Sequence, residues 1–390
     1  MYKLIKKSFI FIFIFIFIFI FIFAYLLLKD ETFDKKTLVF GSSIPYSGSI
    51  DLWGEAVNNG VNSYFNYVNE FNLLKDKKIK FLAYDDKYEP ELTYENIEKL
   101  IHKNNVFALF GFVGTPTIKR VLPVIYDENI PFFAPFSGAS FLRNNSDNII
   151  NFRSSYKEEI ENLVNYLESQ NKLERVAIFY QNDIYGEENY ISLKNALKEK
   201  NRQLLAEGSY NRNTLSISHA FNEIKDTKPQ VIFISGAYKA NSLFIQKAKE
   251  DEELKDVIFC NISFGDANSM VKELKNLNTD TKNIIFSQVV PNYENQNLKI
   301  VNEYQMVMKK YFSDKPLGFL SFEAFLSSKV LVNAISRIDG KITRDKLIFA
   351  LKTTPSDLLE GIHLEYKNSQ LLNQTYLFKY ENEHFIELER

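Results

Sequence analysis

Short apolar runs alternate with amphipathic stretches along most of this chain, and few folds accept that pattern. It is clearest between Val106 and Arg143, VFALFGFVGTPTIKRVLPVIYDENIPFFAPFSGASFLR. Val106–Phe110 has the length and character of a buried strand and ends in Gly-Phe-Val-Gly-Thr-Pro-Thr, where Pro116 suits a first helical position. A predicted helix, Thr117–Asp127, leads to a second apolar run, Ile130–Ala134, which ends in Pro-Phe-Ser-Gly-Ala-Ser. Two consecutive strands thus stop at small, hydroxyl-rich turns with free N–H groups. In an open α/β sheet such turns lie side by side at the carboxyl ends of the strands, where ligands bind. Their hydroxyl and N–H donors suit a carboxylate.

The same alternation runs through the rest of the chain. Thr37–Ile44, Lys78–Tyr84 and Asn148–Arg153 read as further strands of a first unit, with helices over Leu52–Phe71 and Glu91–Lys103. The pattern then restarts. Predicted strands Arg175–Tyr180, Gln203–Tyr210, Gln230–Ser235, Val257–Cys260 and Asn283–Ser287 alternate with helices from Tyr156 to Leu277. Buried strands between amphipathic helices imply parallel sheets covered on both faces, and so many units suit two side-by-side domains. Beyond Leu298 the character changes. Three helices, Leu298–Tyr311, Phe319–Ile338 and Thr343–Leu351, are followed by Leu359–Glu365, Gln374–Tyr380 and His384–Leu388, which read as antiparallel strands.

Met1–Lys7 is basic and precedes a charge-free run from Phe9 to Leu28 made largely of Phe and Ile. Residues 1–28 therefore read as a signal peptide or an uncleaved membrane anchor, with residues 9–28 long enough to tether the protein to the inner membrane. The leading lysines place the bulk of the chain on the far side, in the periplasm or another extracytoplasmic space. The net charge of −2 gives no support for a nucleic-acid partner. A single cysteine, Cys260, allows no intramolecular disulfide, so stability must come from a large core. The sequence contains no P-loop, no dinucleotide-binding glycine fingerprint and no nucleophile elbow. Its four histidines, His102, His219, His363 and His384, are scattered. Asp85-Asp86, at a strand end, read as solvated or capping acids. No catalytic residue, metal or cofactor is expected, and the chain is expected not to be an enzyme.

The order and spacing of the turns resemble the type I periplasmic binding proteins of the branched-chain amino acid (Leu/Ile/Val-type) ABC transporter class. The resemblance rests on PYSGSIDLWGEAVNNG, YDDKYEP, FGFVGTPT, APFSGAS, RVAIFYQNDIYGEEN, PQVIFISGAY and SFGDA, and it spans nearly all of Thr37 to Leu388. It implies an α/β fold of two doubly wound parallel-sheet lobes joined by three crossovers and closing on ligand as a hinged clamp. Lobe 1 would comprise residues 37–152 plus 288–353, and lobe 2 residues 153–287 plus 354–390. The implied function is capture of a small amino acid or related carboxylate and its delivery to an ABC permease. A sensory module signalling to a chemoreceptor or kinase, or an amide or urea receptor of the same fold, are the other functions the resemblance admits.

Carried over residue by residue, the resemblance puts Thr115 and the Ser137-Gly138-Ala139 turn on the ligand's α-carboxylate, through hydroxyl and backbone donors and without a buried arginine. Tyr238 and Asp266 match the aromatic and the acid that hold the α-ammonium. Trp53 and Tyr185 match aromatics at the side-chain end of the pocket, and Phe319 joins them. Four of these have a structural reading as well: Trp53 as a packing anchor, Tyr185 as core, Thr115 as a helix N-cap and Asp266 as the cap of the helix that follows it. The chain departs from the family in lacking the usual first-lobe disulfide, in having no clear cleavage or lipid-attachment site, and in carrying Tyr46 before Ser47.

Overall fold

The computed structural model describes residues 36–144 and 146–389. The predicted signal or anchor segment, residues 1–28, lies outside the described residues. Two parallel sheets organise the chain. The first has the order β2-β1-β3-β4-β5, formed by Thr37–Ile44 (β1), Lys78–Asp85 (β2), Ala108–Phe110 (β3), Phe132–Phe133 (β4) and Ile149–Ile150 (β5). The second contains Val176–Gln181 (β6), Leu204–Tyr210 (β7), Val231–Ser235 (β8), Ile258–Asn261 (β9) and Ile284–Gln288 (β10). Two antiparallel strands, Tyr376–Glu381 (β11) and His384–Glu387 (β12), complete it in the order β12-β11-β10-β9-β8-β6-β7. In each sheet the first strand of the unit lies between the second and the third. Strand order therefore reverses about β1 in one sheet and about β6 in the other, and the crevice at such a switch point is where an α/β sheet takes its ligand.

The near-continuous apolar runs of β1, β6 and β8 are those of strands buried on both faces, which these are. After β10 the chain returns to the first sheet, where the helices Lys299–Tyr311 and Phe319–Ser336 pack on Asp51–Glu70. Phe319–Ser336 is long and apolar enough to cross a membrane, yet it is buried nearly all round as a core helix. Its crossing with Asp51–Glu70 depends on Gly60, where a Cβ would sit 2.3 Å from the Ser321 carbonyl oxygen.

Three segments cross between the lobes: 151–155, 289–298 and 353–375. The first and third run side by side, bonded from Asn151 N–H to Ser369 O (2.8 Å), Leu371 N–H to Asn151 O (3.1 Å) and Leu372 N–H to Phe152 O (2.8 Å). The predicted strand Leu359–Glu365 is not one. Gly361, at φ 102°, turns the chain back on itself, leaving a single Leu359–Ile362 bridge. The expected strand Asn148–Arg153 is likewise only the two residues of β5, because the residues after it already belong to the crossover.

Candidate functional site

The two switch points face each other, and the loops at the strand ends meet between the lobes. The Tyr180–Gly186 motif shows how local sequence builds one wall. Asp183 caps the helix Ile184–Glu199 by accepting from the Tyr185 N–H at 2.9 Å. Gly186 lets the helix start directly over the strand end, since a Cβ there would lie 1.9 Å from the Gln181 carbonyl oxygen. Tyr185, held between them, projects into the interface and is wholly buried.

Its ring meets Phe264 (centroids 4.7 Å) and Tyr156 (5.4 Å). Phe264, on the turn after β9, also meets Trp53 at 4.7 Å in a tilted contact and approaches Tyr88 at 5.9 Å. Trp53 lies in the first turn of Asp51–Glu70, touches Phe136 edge-on, and donates its indole N–H across the interface to the Phe264 carbonyl at 3.2 Å. Tyr88 sits at φ 62° in the loop after β2, and its hydroxyl accepts from Gln181 Nε2 at 3.1 Å. Trp53, Tyr88, Tyr156, Tyr185 and Phe264 are each at most 1% exposed. Together they form an aromatic cluster packed between the lobes.

Hydroxyls occupy the adjoining wall. Thr115 Oγ1 is 2.8 Å from Ser137 Oγ and 3.1 Å from the Tyr156 hydroxyl, all buried. Thr115 does not cap its helix, because Gly114, at φ 105°, is the capping residue of Thr115–Asp127. The Ser137 hydroxyl also accepts from Ala139 N–H at 3.3 Å. Gly138 is needed because a Cβ would come within 2.5 Å of Tyr156.

Beneath this wall lies a charged layer. Arg153, on the first crossover, is fully buried. Its Nη2 donates to Ser263 Oγ at 2.6 Å, and its Nε is 3.3 Å from Glu323 Oε1. The Ser263 hydroxyl and N–H in turn donate to Glu159 at 2.7 and 2.8 Å. Burial pushes the Glu323 carboxyl up to about 7 despite Arg153 beside it. It raises Glu159 too, against the pull of Arg153 and Ser263.

Contacts across the rim surround the cluster. Tyr238 donates to Asp51 Oδ1 at 2.8 Å, and Lys239 Nζ is 3.1 Å from the same oxygen. Arg212 Nη2 meets Glu89 at 3.0 Å, Asn213 Nδ2 donates to Glu89 at 2.6 Å, and Ser140 Oγ donates to Glu188 at 2.7 Å.

Of the residues singled out from sequence, the structure brings Trp53, Thr115, Ser137, Gly138, Ala139 and Tyr185 to one buried cluster between the lobes, with Tyr238 at its edge. Phe319 is set apart, whereas Asp266 stands two residues after Phe264 and is an electrostatic neighbour of Tyr238. Asp266, at the N-cap of Ala267–Asn276, lines a cavity of about 230 Å³ with Leu52, Asn59, Lys272 and Ser321, and none of the six cluster residues lines it. Burial pushes the Asp266 carboxyl up to about 6, although Ser269 and the N–H groups of Asn268 and Ser269 pull it down. Phe319 packs on Tyr293, Phe378 and Phe385 with centroids 5.0 to 5.1 Å apart. Tyr88, Arg153, Tyr156, Phe264 and Glu323 are residues of the cluster and its charged layer that sequence reasoning did not select. Tyr88 and Phe264 stand inside the YDDKYEP and SFGDA turns, the one signal that pointed near them. Asp85 and Asp86 organise a loop: Asp86 accepts from Ser43 Oγ, Thr93 Oγ1 and Tyr88 N–H, so it holds Tyr88 in place. Among the described residues no group of three or more His, Cys, Asp or Glu side chains is arranged to hold a metal.

The sequence profile of the Periplasmic binding protein family matches residues 37–384. A Leu/Ile/Val-binding protein homolog 7 from Brucella abortus (strain 2308) is 20% identical over 313 residues, covering 77% of each chain. A possible leucine/isoleucine/valine-binding protein from Rhodopirellula baltica SH 1 superposes with a TM-score of 0.84 at 29% identity, covering 90% of this chain and 96% of that one. A branched-chain amino acid ABC transporter protein from Thermus thermophilus, solved with bound valine, superposes with a TM-score of 0.80 at 14% identity, covering 91% and 96%. The chain belongs to the Periplasmic binding protein family.

Proposed function

We propose that this member of the Periplasmic binding protein family is an extracytoplasmic receptor. It captures a small amino acid or related carboxylate between its closing lobes and delivers it to an ABC permease. The observation that carries the reading is the buried cluster between the lobes, in which Trp53 and the Thr115–Ser137 hydroxyls come from one lobe and Tyr185 and Phe264 from the other. A ligand there touches both lobes only when they are closed, so binding and closure are one event. Ser137, Gly138 and Ala139 supply backbone and hydroxyl donors, Tyr238 and Asp266 take the ammonium, and Trp53 and Tyr185 line the side-chain end. The protein acts by binding and not by catalysis, and residues 9–28 tether it to the membrane.

A thermal-denaturation screen of the full-length, detergent-solubilised chain against the common amino acids and small carboxylates tests this. A ligand at 100 times its dissociation constant adds about 2.7 kcal/mol, which moves the melt by a few degrees. No shift with any member of the panel would overturn the reading.

A further inference from the structure

Lys36 leads into lobe 1 at the end of the sheet opposite the cluster between the lobes. All strands of a parallel sheet begin at one end, and here Thr37, the first residue of β1, pairs with Lys78, the first of β2. The helix Asp51–Glu70 runs back to that end and sets Phe71 and Leu73 just ahead of β2. The helix Arg344–Lys352 crosses the same end. Arg344 donates to the carbonyls of Val106 and Phe107, ahead of β3, and Lys352 Nζ meets Asp147, ahead of β5, at 3.2 Å.

Three large apolar side chains stand in solvent there: Phe349 is 69% exposed, Phe71 52% and Leu73 46%. The surrounding charge is basic although the whole chain is slightly acidic. Phe71–Lys80, FNLLKDKKIK, holds four lysines against the single acid Asp76, and Lys36 adds a further cation. Lys78 Nζ donates only to the uncharged Asn69 carbonyl and Asn72 side chain, so its charge is not cancelled locally. Only residues 29–35 separate the apolar run ending at Leu28 from Lys36. Eight residue steps reach at most about 29 Å. With residues 9–28 in a bilayer, this end of lobe 1 therefore stays within that distance of the lipid. Aromatic and leucine side chains beside lysines are the chemistry that enters the headgroup boundary of an anionic membrane.

We infer that this end of lobe 1 rests on an anionic bilayer surface through Phe71, Leu73, Phe349 and the lysines beside them. Docking there rests on the tether proposed above for residues 9–28. It holds the cluster between the lobes about 25 Å above the bilayer, the length of the eight-residue β1, with lobe 2 beyond it.

The test places a fluorophore on the full chain at D76C, near Leu73, or at E252C, on a turn ahead of β9 in lobe 2. Each replaces an exposed acid, and Cys260 is buried and stays unlabelled. The chain is reconstituted into vesicles of phosphatidylethanolamine and phosphatidylglycerol carrying a nitroxide at the headgroup, which quenches only at short range. Quenching at D76C should exceed that at E252C at least threefold. F71S/L73S/F349S, which changes only exposed side chains, should melt as the wild type does and lose that difference. Equal quenching at the two positions in a chain that floats with the vesicles overturns the docking and leaves the tether standing. So does a difference that survives the triple substitution. Equal quenching accompanied by disulfide-linked D76C dimers assigns the face to a second copy of the chain and also overturns the docking. A full chain that does not float with vesicles refutes the tether, and the docking with it.

Discussion

Trp53 is the only tryptophan in the chain and it bridges the lobes, so W53F separates closure from folding. The exchange keeps an aromatic ring but deletes the indole N–H that donates to the Phe264 carbonyl at 3.2 Å. A hydrogen bond of this kind contributes about 0.5–1.5 kcal/mol, and stranding a buried acceptor costs about 1–3 kcal/mol. In an open form the same carbonyl is hydrated and loses nothing. The edge contact of Trp53 with Phe136, by contrast, is made within the first lobe and persists in both forms. The penalty of about 1–2 kcal/mol therefore falls on the closed state, which lowers ligand affinity about 5- to 30-fold. Isothermal titration of the variant with the ligand found in the screen measures that loss, and denaturation without ligand measures the fold. In the wild type, ligand should shift the Trp53 emission and protect it from acrylamide, since closure buries the indole under Phe264. An affinity within twofold of wild type, together with a ligand-free melt several degrees lower, would refute the reasoning and make Trp53 a packing residue.

Gly54 and Gly60 should not tolerate alanine. The new Cβ would meet the Pro45 carbonyl oxygen at 2.1 Å and the Ser321 carbonyl oxygen at 2.3 Å, so each variant should lose about 1–3 kcal/mol, read as a lower urea midpoint at unchanged slope. The protein should melt higher at pH 5 than at pH 8. Burial holds Glu323 at about 7 and Asp86 and Asp266 at about 6, above their unfolded values, so the stability they contribute is present in acid and lost as pH rises through that range. E323Q should flatten the profile above pH 6, and a scan in matched buffers decides it. R212A removes the cross-lobe contact to Glu89 at 3.0 Å. Because that pair is partly exposed, the effect should be a few-fold faster ligand release in stopped flow, with the association rate little changed.

The fold was legible because its pattern is local. Apolar runs of strand length, each followed by an amphipathic stretch, can bury both only as covered parallel sheets. The Tyr180–Gly186 motif was equally readable, since the cap at Asp183 and the close approach at Gly186 act within six residues of one another. What escaped is non-local. Arg153 and Glu323 are 170 positions apart and meet only because two crossovers and a returning helix bring them together. Nothing near either residue in the chain announces the other. Tyr88 escaped because its left-handed backbone and the buried Asp86 beneath it, not its neighbours in sequence, turn its ring inward. Leu359–Glu365 has the composition of a strand, but one glycine with a positive φ makes it a turn.

The polar balance of the closed form bears on how ligand drives it. Rim pairs such as Asp51–Lys239 and Glu89–Arg212 are partly exposed, and such pairs contribute about 0–1 kcal/mol each. Against them, the closed form buries the Tyr185 hydroxyl and Arg153 Nη1 with no hydrogen-bond partner among the described residues, each at a cost of about 1–3 kcal/mol. Two rim pairs at about 0–1 kcal/mol each do not offset two unpaired buried groups at about 1–3 kcal/mol each. A ligand that supplies the missing acceptor removes that cost and so favours closure. Y185F should then act with opposite signs on the two states. Removing the unpartnered hydroxyl relieves the empty closed form by about 1 kcal/mol, roughly a fivefold shift toward closure. The same change weakens the liganded form. Trp53 emission of ligand-free Y185F should therefore move toward that of the liganded wild type while its affinity for the amino acid falls. If both emission and affinity stay at wild-type values, the Tyr185 hydroxyl has no part in closure.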